Sequence, residues 1–163
     1  MFSIGDTIIY SAHGLCEIDN ICEKTFAGVT KKYYELHPIK DSKLKISIPI
    51  DSDKVTMLEI MDKDEAEKML KSFTEPGVEW IEASSERTKV YSEIIKSGNR
   101  REVSKVLNTL LKRKNKVEAL GKRFHNQDKK LLTFIENILF TELSFALDTT
   151  FEQVEEKINK LIK

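Results

Sequence analysis

The sequence is poor in the residue types on which most enzymes and metalloproteins depend. It contains three histidines, His13, His37 and His125, and two cysteines, Cys16 and Cys22. They do not form a zinc-ligand set, and no nucleophile or carboxylate adjoins a histidine in a recognisable catalytic motif. A glycine-rich phosphate-binding loop is also absent. We therefore expect a protein that is not an enzyme and that needs no metal or cofactor.

Long apolar runs and a secretion signal are also missing. No stretch approaches the length of a membrane span, and residues 1–6 lack the basic region and apolar core of a signal peptide. This predicts a cytoplasmic protein with no membrane partner. Cys16 and Cys22 lie six residues apart in a region predicted to be extended, where they would share a face of an unbroken strand. That separation is too long for a disulfide, so we expect both thiols to be reduced.

The spacing of the apolar residues changes near residue 60. Before that point, short segments rich in β-branched and aromatic residues are separated by turn residues, which predicts strands at 7–10, 15–18, 32–36 and 44–49. Short strands at this spacing are typical of a small barrel. We expect an α+β fold, in which residues 1–60 form a β domain and residues 61–163 an α-helical domain.

The second part has apolar residues at helical spacing and predicts five helices. Asp62 can cap the first helix, which ends before Pro76-Gly77. The others are predicted at about 79–96, from a cap at Asn99 to Gly121, at about 126–147, and after Thr149.

The balanced composition conceals a strongly basic segment. The chain has 27 basic and 27 acidic residues, yet residues 87–130 hold 14 basic residues against 4 acidic ones. On the predicted third helix one face collects Arg101, Lys105, Lys112 and Lys116, opposite the apolar residues. Such a segment in a neutral protein indicates contact with the phosphates of a nucleic acid. A face that is merely solvated is the alternative interpretation.

Several motifs together resemble the CarD/CdnL family of bacterial transcription regulators, over nearly the whole chain. In the first part these are the opening Phe-Ser-Ile-Gly-Asp-Thr-Ile-Ile-Tyr (2–10), His13-Gly14, Gly28, Tyr33-Tyr34 and Ile48-Pro49. In the second part they are the segment from Arg87 to Ser97-Gly98, the basic third helix, and Asp128-Lys129-Lys130. The first part also resembles the polymerase-docking module of the transcription-repair coupling factor.

For the first part, the resemblance implies a Tudor-like, SH3-type barrel that pairs with the β-subunit lobe of RNA polymerase. An exposed edge strand flanked by basic side chains is a suitable dock, since main-chain pairing gives affinity and the charges give register. Lys24 occupies a position where the family has a basic contact residue. Ser47 stands where some members have arginine, which puts that contact in doubt. Lys45, two residues along on the same predicted strand face, is the candidate to replace it.

For the second part, the resemblance implies binding of promoter DNA at the upstream edge of the melted bubble. The family's phosphate-contacting positions match Arg87, Lys89, Lys129 and Lys130, to which we add Arg101, Lys105 and Lys112 from the basic face. Binding the melted promoter more tightly than the closed one would stabilise the open complex. We expect the free protein to be a monomer.

Family members insert a tryptophan at the junction between duplex and bubble, three residues before the matched arginine. Here Ser84 occupies that position, and Trp80 precedes Arg87 by seven residues. Both spacings return to the same face of a continuous helix, so the ring would be displaced by one turn, roughly 6 Å. Trp80 is either this wedge or a core residue packed against Tyr91, Ile94 and Ile95.

Two other functions stay open on the sequence alone. One is an adaptor that binds only proteins. The other is a hydrolase or transferase on a small scaffold, which would need a pocket with a nucleophile.

Overall fold

A computed structural model describes residues 1–10, 13–52 and 57–162. The chain divides into two compact units, Met1–Ile60 and Met61–Lys163. The first contains the strands and the second contains the helices. The predicted α+β class, with a β-sheet followed by five helices, is confirmed.

The first unit is an antiparallel sheet of five strands. In chain order these are β1 Thr7–Tyr10, β2 Gly14–Phe26, β3 Val29–Pro38, β4 Ile46–Pro49 and β5 Met57–Glu59. Their order across the sheet is β4-β3-β2-β1-β5, and one face covers a core formed by Ile8, Cys16, Ile18, Tyr34, Leu36 and Ile48. In the described part of the chain β4 and β5 are the two edges. The sheet is thus not closed into the predicted barrel, although this arrangement is compatible with a Tudor-like domain.

The strands β2 and β3 are longer than the sequence predicted. They form a hairpin whose turn is Ala27-Gly28, with both residues at positive φ (51° and 78°). Two positive φ angles match the right-handed twist of the flanking strands. Phe26 and Val29 are paired across this turn and are exposed.

An extra residue in β2 changes which side chains face the core. The pairing with β3 shifts register between Ile18 and Asn20. Cys16 is buried, whereas the Cys22 thiol contacts Glu35 on the opposite face. The two cysteines would share a face only of an unbroken strand, and here they do not, because a bulge reverses the alternation of side chains. Burial raises the pKa of the Cys16 thiol to about 11, which keeps it protonated.

The second unit contains α1 Lys63–Ser72, α2 Ser84–Lys96, α3 Arg100–Ala119, α4 Asn126–Ala146 and α5 Phe151–Ile162. Asp62 caps α1 in a capping box with Glu65, and Asn99 caps α3, as their residue types favour. The core is apolar; its largest fully buried side chains include Phe73, Tyr91, Leu107, Leu110, Ile135, Leu139, Phe140 and Ile158. Among the described residues, no helix has both the length and the apolar character needed to cross a membrane.

The second helix begins five residues later than predicted. The carbonyls of Ile81 and Glu82 accept hydrogen bonds from the Arg87 side chain, and the Glu79 carbonyl accepts one from the Tyr91 hydroxyl. Because these three carbonyls accept hydrogen bonds from side chains, they do not require the backbone hydrogen bonds of a helix. Trp80 therefore lies in an irregular segment, and the argument that it shares a continuous helical face with Arg87 is wrong.

Candidate nucleic-acid and polymerase interfaces

The segment between α1 and α2, which carries Trp80, is fastened along α3. The Asn108 amide donates to the Glu75 carbonyl at 2.8 Å, and the Thr109 hydroxyl donates to the Val78 carbonyl at 2.7 Å. The Val78 N–H donates in turn to the carbonyl of Lys105. We call residues 74–83 the strap, because side chains and backbone of α3 hold it in place.

Gly77 is where the strap comes closest to α3. A Cβ atom at this position would lie 2.2 Å from the Thr109 hydroxyl and 2.6 Å from the Lys105 carbonyl oxygen. Neither separation is possible without movement, and one of the two atoms belongs to backbone. The approach of the strap therefore requires glycine.

Two guanidinium groups lie over the ring of Trp80. The Cζ atoms of Arg87 and Arg113 are 4.2 Å and 4.8 Å from the ring centroid. The ring is half-buried and packs against the edge of the helical core. Cations at this distance from an indole ring attract it electrostatically. Trp80 is thus held in one place although part of it remains accessible.

Arg87 is itself held by a buried ion pair. Its Nε and Nη2 atoms donate to the two carboxylate oxygens of Asp128 at 2.8 Å and 2.7 Å, and its Nη1 donates to the strap carbonyls. The residue is 4% exposed. In this conformation its guanidinium faces the interior and is not presented to a phosphate, in contrast to the contact that the resemblance implies.

The same ion pair joins the first turns of α2 and α4. Lys89 follows Arg87 on α2, and Lys129 and Lys130 follow Asp128 on α4. All three lysines are exposed. These three predicted DNA contacts therefore lie on two helices whose first turns are connected by the Arg87–Asp128 ion pair.

On the basic face of α3, the residues at the two ends are exposed, whereas the two lysines in the middle have partners within the protein. Arg101 and Lys116 are exposed. Lys105 pairs with Glu102 at 3.3 Å, and the Lys112 ammonium donates to the Glu75 carbonyl at 3.3 Å. Part of the charge of this face therefore has partners within the protein.

A second buried carboxylate anchors the start of the helical unit. Glu142 accepts a hydrogen bond from the Met61 backbone N–H at 2.9 Å and pairs with Arg100 at 2.7 Å. Burial is the main cause that raises the pKa of Glu142, against the opposing effects of these two partners.

In the first unit, two of the three predicted polymerase contacts lie together. The Lys24 ammonium lies 2.7 Å from the Ser47 hydroxyl, on edge strand β4, and 3.0 Å from the carboxylate of Glu35. The hydrogen bond with Lys24 is the largest cause that lowers the pKa of Glu35. Lys45 instead precedes β4 and is exposed beside Asp19, at 3.7 Å.

The two units match the two domains of one family in order. Residues 2–61 match the CarD-like/TRCF RID domain, and residues 68–159 match the CarD C-terminal domain. The chain belongs to the CarD-like family. It is also similar to a Bacillus subtilis (strain 168) protein named "Putative transcription factor YdeB", with 25% identity over 156 residues, which cover 95% of this chain and 98% of that protein.

Asp128, Arg113 and Gly77 are missing from the site predicted for this CarD-like chain. Asp128 is the only aspartate in the basic segment 87–130, which could have marked it as an ion-pair partner. Arginine at positions 87 and 113 was a further signal for contacts with Asp128 and Trp80, because its planar guanidinium stacks on aromatic rings and forms bidentate pairs with carboxylates. Nothing in the local sequence indicates that Gly77 lies against α3.

Proposed function

We propose that this CarD-like protein is a transcription regulator that contacts RNA polymerase and promoter DNA at the same time. Residues 1–60 bind the lobe of the polymerase β subunit. Residues 61–163 bind DNA at the upstream edge of the bubble and favour the open complex. The observation that carries the proposal is the match of both units, in order, to the two domains of the family.

The polymerase contact uses the edge strand β4. In the described residues β4 pairs only with β3, so its other edge can accept a strand of the partner. Lys24 lies beside Ser47 on this strand and supplies the positive charge. Ser47 takes part through its hydroxyl, and Lys45 is an exposed charge just before the strand.

The DNA contact uses the exposed cations of the helical unit. Lys89, Lys129, Lys130 and Arg101 meet phosphates directly, and Lys105 and Lys112 exchange their internal partners for phosphate oxygens. Such contacts carry little sequence information. Arg87 acts through Trp80, which it holds in position for contact with the distorted step at the end of the duplex.

Two measurements on the full chain test this function. Lys24→Ala should weaken capture of the polymerase β lobe, while Lys43→Ala, in an exposed turn of the same unit, should not. The double variant Lys129→Ala, Lys130→Ala should weaken binding to unrelated duplexes equally and reduce the salt slope by about one for each lost contact. The matched control is Lys157→Ala, Lys160→Ala on α5. Failure of the wild type to capture the lobe would refute the proposal.

One observation favours a second function, an adaptor that binds only proteins. Arg87, Lys105 and Lys112 all have internal partners, which reduces the charge available to DNA. The adaptor would capture the polymerase lobe but show no salt-dependent affinity for DNA.

A further inference from the structure

One face of α4 carries an exposed aromatic ring between lysines and amides. Phe134 is 43% exposed. It lines a shallow depression whose other residues also belong to this helix: Asn126, Lys129, Lys130, Thr133 and Asn137. Only Lys129 and Lys130 of this set have a place in the function proposed above.

The chemistry of the depression matches a polyanion that carries flat rings. Its lining has two ammonium groups, two amides, a hydroxyl and an aromatic ring, with no carboxylate. The ammonium groups suit phosphates, the amides suit the hydrogen-bonding edges of bases, and the ring offers a surface for stacking. This combination of a cationic track and an aromatic platform is typical of sites for single-stranded nucleic acid.

Duplex DNA and protein partners fit the depression less well. In a duplex the faces of the bases are already stacked on each other. No base face is therefore free to stack on an aromatic ring at the surface of a helix. Protein interfaces are depleted in lysine, whereas two of the six lining residues are lysines. A single exposed phenylalanine also offers little of the apolar area that a stable interface between proteins buries.

The depression is continuous with the candidate DNA surface. Lys129 directly follows Asp128, whose ion pair with Arg87 joins the start of α4 to the start of α2. Arg87 also supports the Trp80 ring. Phe134 follows Lys130 by four residues, which places it about 6 Å further along the same side of α4.

We propose that Phe134 is a stacking platform for an unpaired base, with Lys129 and Lys130 binding the neighbouring phosphates. The inference rests on the proposed function, and it names single-stranded DNA as the form that this face of α4 binds. A strand that leaves the duplex at the bubble edge has both the free base and the phosphates that the site needs.

The test compares single-stranded and duplex DNA on the full chain. Fluorescence anisotropy would measure the affinity for a labelled 20-nucleotide thymidine strand and for a duplex of equal length, in the same salt. Phe134→Leu removes the ring but keeps an apolar side chain, and Phe134→Tyr keeps the ring. Phe145→Leu is the matched control, because Phe145 is 50% exposed on the same helix but does not line the depression.

We expect Phe134→Leu to weaken binding of the single strand roughly 5- to 150-fold, the range for loss of one base-aromatic stack. Its duplex affinity should be unchanged. Phe134→Tyr and Phe145→Leu should bind both DNAs like the wild type. An unchanged single-strand affinity in Phe134→Leu would overturn the inference, and the proposed function would stand if duplex binding persisted. Absence of binding to either DNA would overturn both.

A cross-linking measurement on the wild type does not depend on the folding of a variant. A strand containing 5-iodouracil, irradiated in the complex, should cross-link to the peptide that contains Phe134. Cross-links found only elsewhere would overturn the inference. Analytical ultracentrifugation tests the remaining occupant, a second copy of the chain. A dimer that Phe134→Leu dissociates without loss of single-strand affinity would assign the face to self-association instead.

Discussion

The guanidinium of Arg87 lies over the ring of Trp80, with its Cζ atom 4.2 Å from the ring centroid. This contact connects the only tryptophan of the chain to a buried ion pair, because the same guanidinium binds both oxygens of Asp128. The position of the ring therefore depends on a carboxylate that is 48 residues away in sequence.

Replacement of Asp128 by alanine should strongly destabilise the helical unit. It leaves the Arg87 guanidinium buried without its countercharge, which typically costs about 3–5 kcal/mol. Urea denaturation of the full chain would give the change in the free energy of unfolding. Lys129→Ala is the control. Lys129 is the exposed neighbour of Asp128, so its replacement should change the free energy of unfolding by less than about 0.5 kcal/mol. A loss below about 1 kcal/mol for Asp128→Ala would contradict the role of the ion pair.

Arg113→Ala should alter the surroundings of Trp80 with only a modest loss of stability. A half-exposed cation over an indole ring contributes about 0.5–1 kcal/mol. Because Trp80 is the only tryptophan, its emission spectrum reports this contact directly. Arg123→Ala, on an exposed residue outside the stack, should leave the spectrum unchanged. Identical spectra for the wild type and Arg113→Ala would show that the stack does not exist in solution.

Trp80→Ala should have both a stability effect and a functional effect. The ring is half-buried, so its truncation should cost less than the 3–5 kcal/mol typical of a buried large aromatic, about 1–3 kcal/mol. At a temperature where the variant is fully folded, the lifetime of the open promoter complex should still be shorter than with wild type. Thermal melting and the lifetime are measured on the same preparation. A normal lifetime under those conditions would assign Trp80 to the core alone.

Gly77→Ala should destabilise the helical unit by about 1–3 kcal/mol, the usual range for overpacking. The added methyl group would overlap the Thr109 hydroxyl and the Lys105 carbonyl oxygen. Since the second clash is with backbone, the additional change Thr109→Ala should not restore the stability of Gly77→Ala. Full restoration in the double variant, relative to Thr109→Ala alone, would mean that the strap lies further from α3.

The stability of the chain should depend on pH through Glu142. Burial raises the pKa of this carboxyl above its usual value of 4.5. At a pH between 4.5, the value in the unfolded chain, and the raised pKa of the folded protein, the folded protein holds a proton that the unfolded chain has released. Stability therefore falls as the pH rises through this range. Glu142→Gln cannot titrate and should lack this part of the decrease. Burial also raises the pKa of Glu136, which contributes in the same direction to both proteins. The difference between their unfolding free energies, followed from pH 4 to 8, therefore isolates Glu142; a constant difference would refute the prediction.

The sequence was sufficient for the fold class but not for the contacts of the site. Apolar periodicity located the helices, and Asp62 and Asn99 marked two helix starts by their capping chemistry. The start of α2 could not be predicted, because it depends on hydrogen bonds from Arg87 and Tyr91 to the strap. These are contacts between residues whose proximity only the folded chain reveals.

The same limit applied to the basic residues. Charge counting found the segment 87–130 but could not separate its exposed cations from Arg87, which faces inward. That separation depends on the partner of Arg87, Asp128. In the first unit, a single extra residue in β2 reversed the faces of all the side chains that follow it, which no pattern of alternation could anticipate.

The strap also affects how sequences of this kind can diverge. It is fixed on one side where Gly77 touches α3, and it ends where α2 begins at Ser84. Between these points the backbone is not helical, so an aromatic residue there need not move in steps of one helical turn. The displacement of Trp80 from position 84, where the family resemblance implies a tryptophan, therefore need not equal the one helical turn that a continuous helix would require.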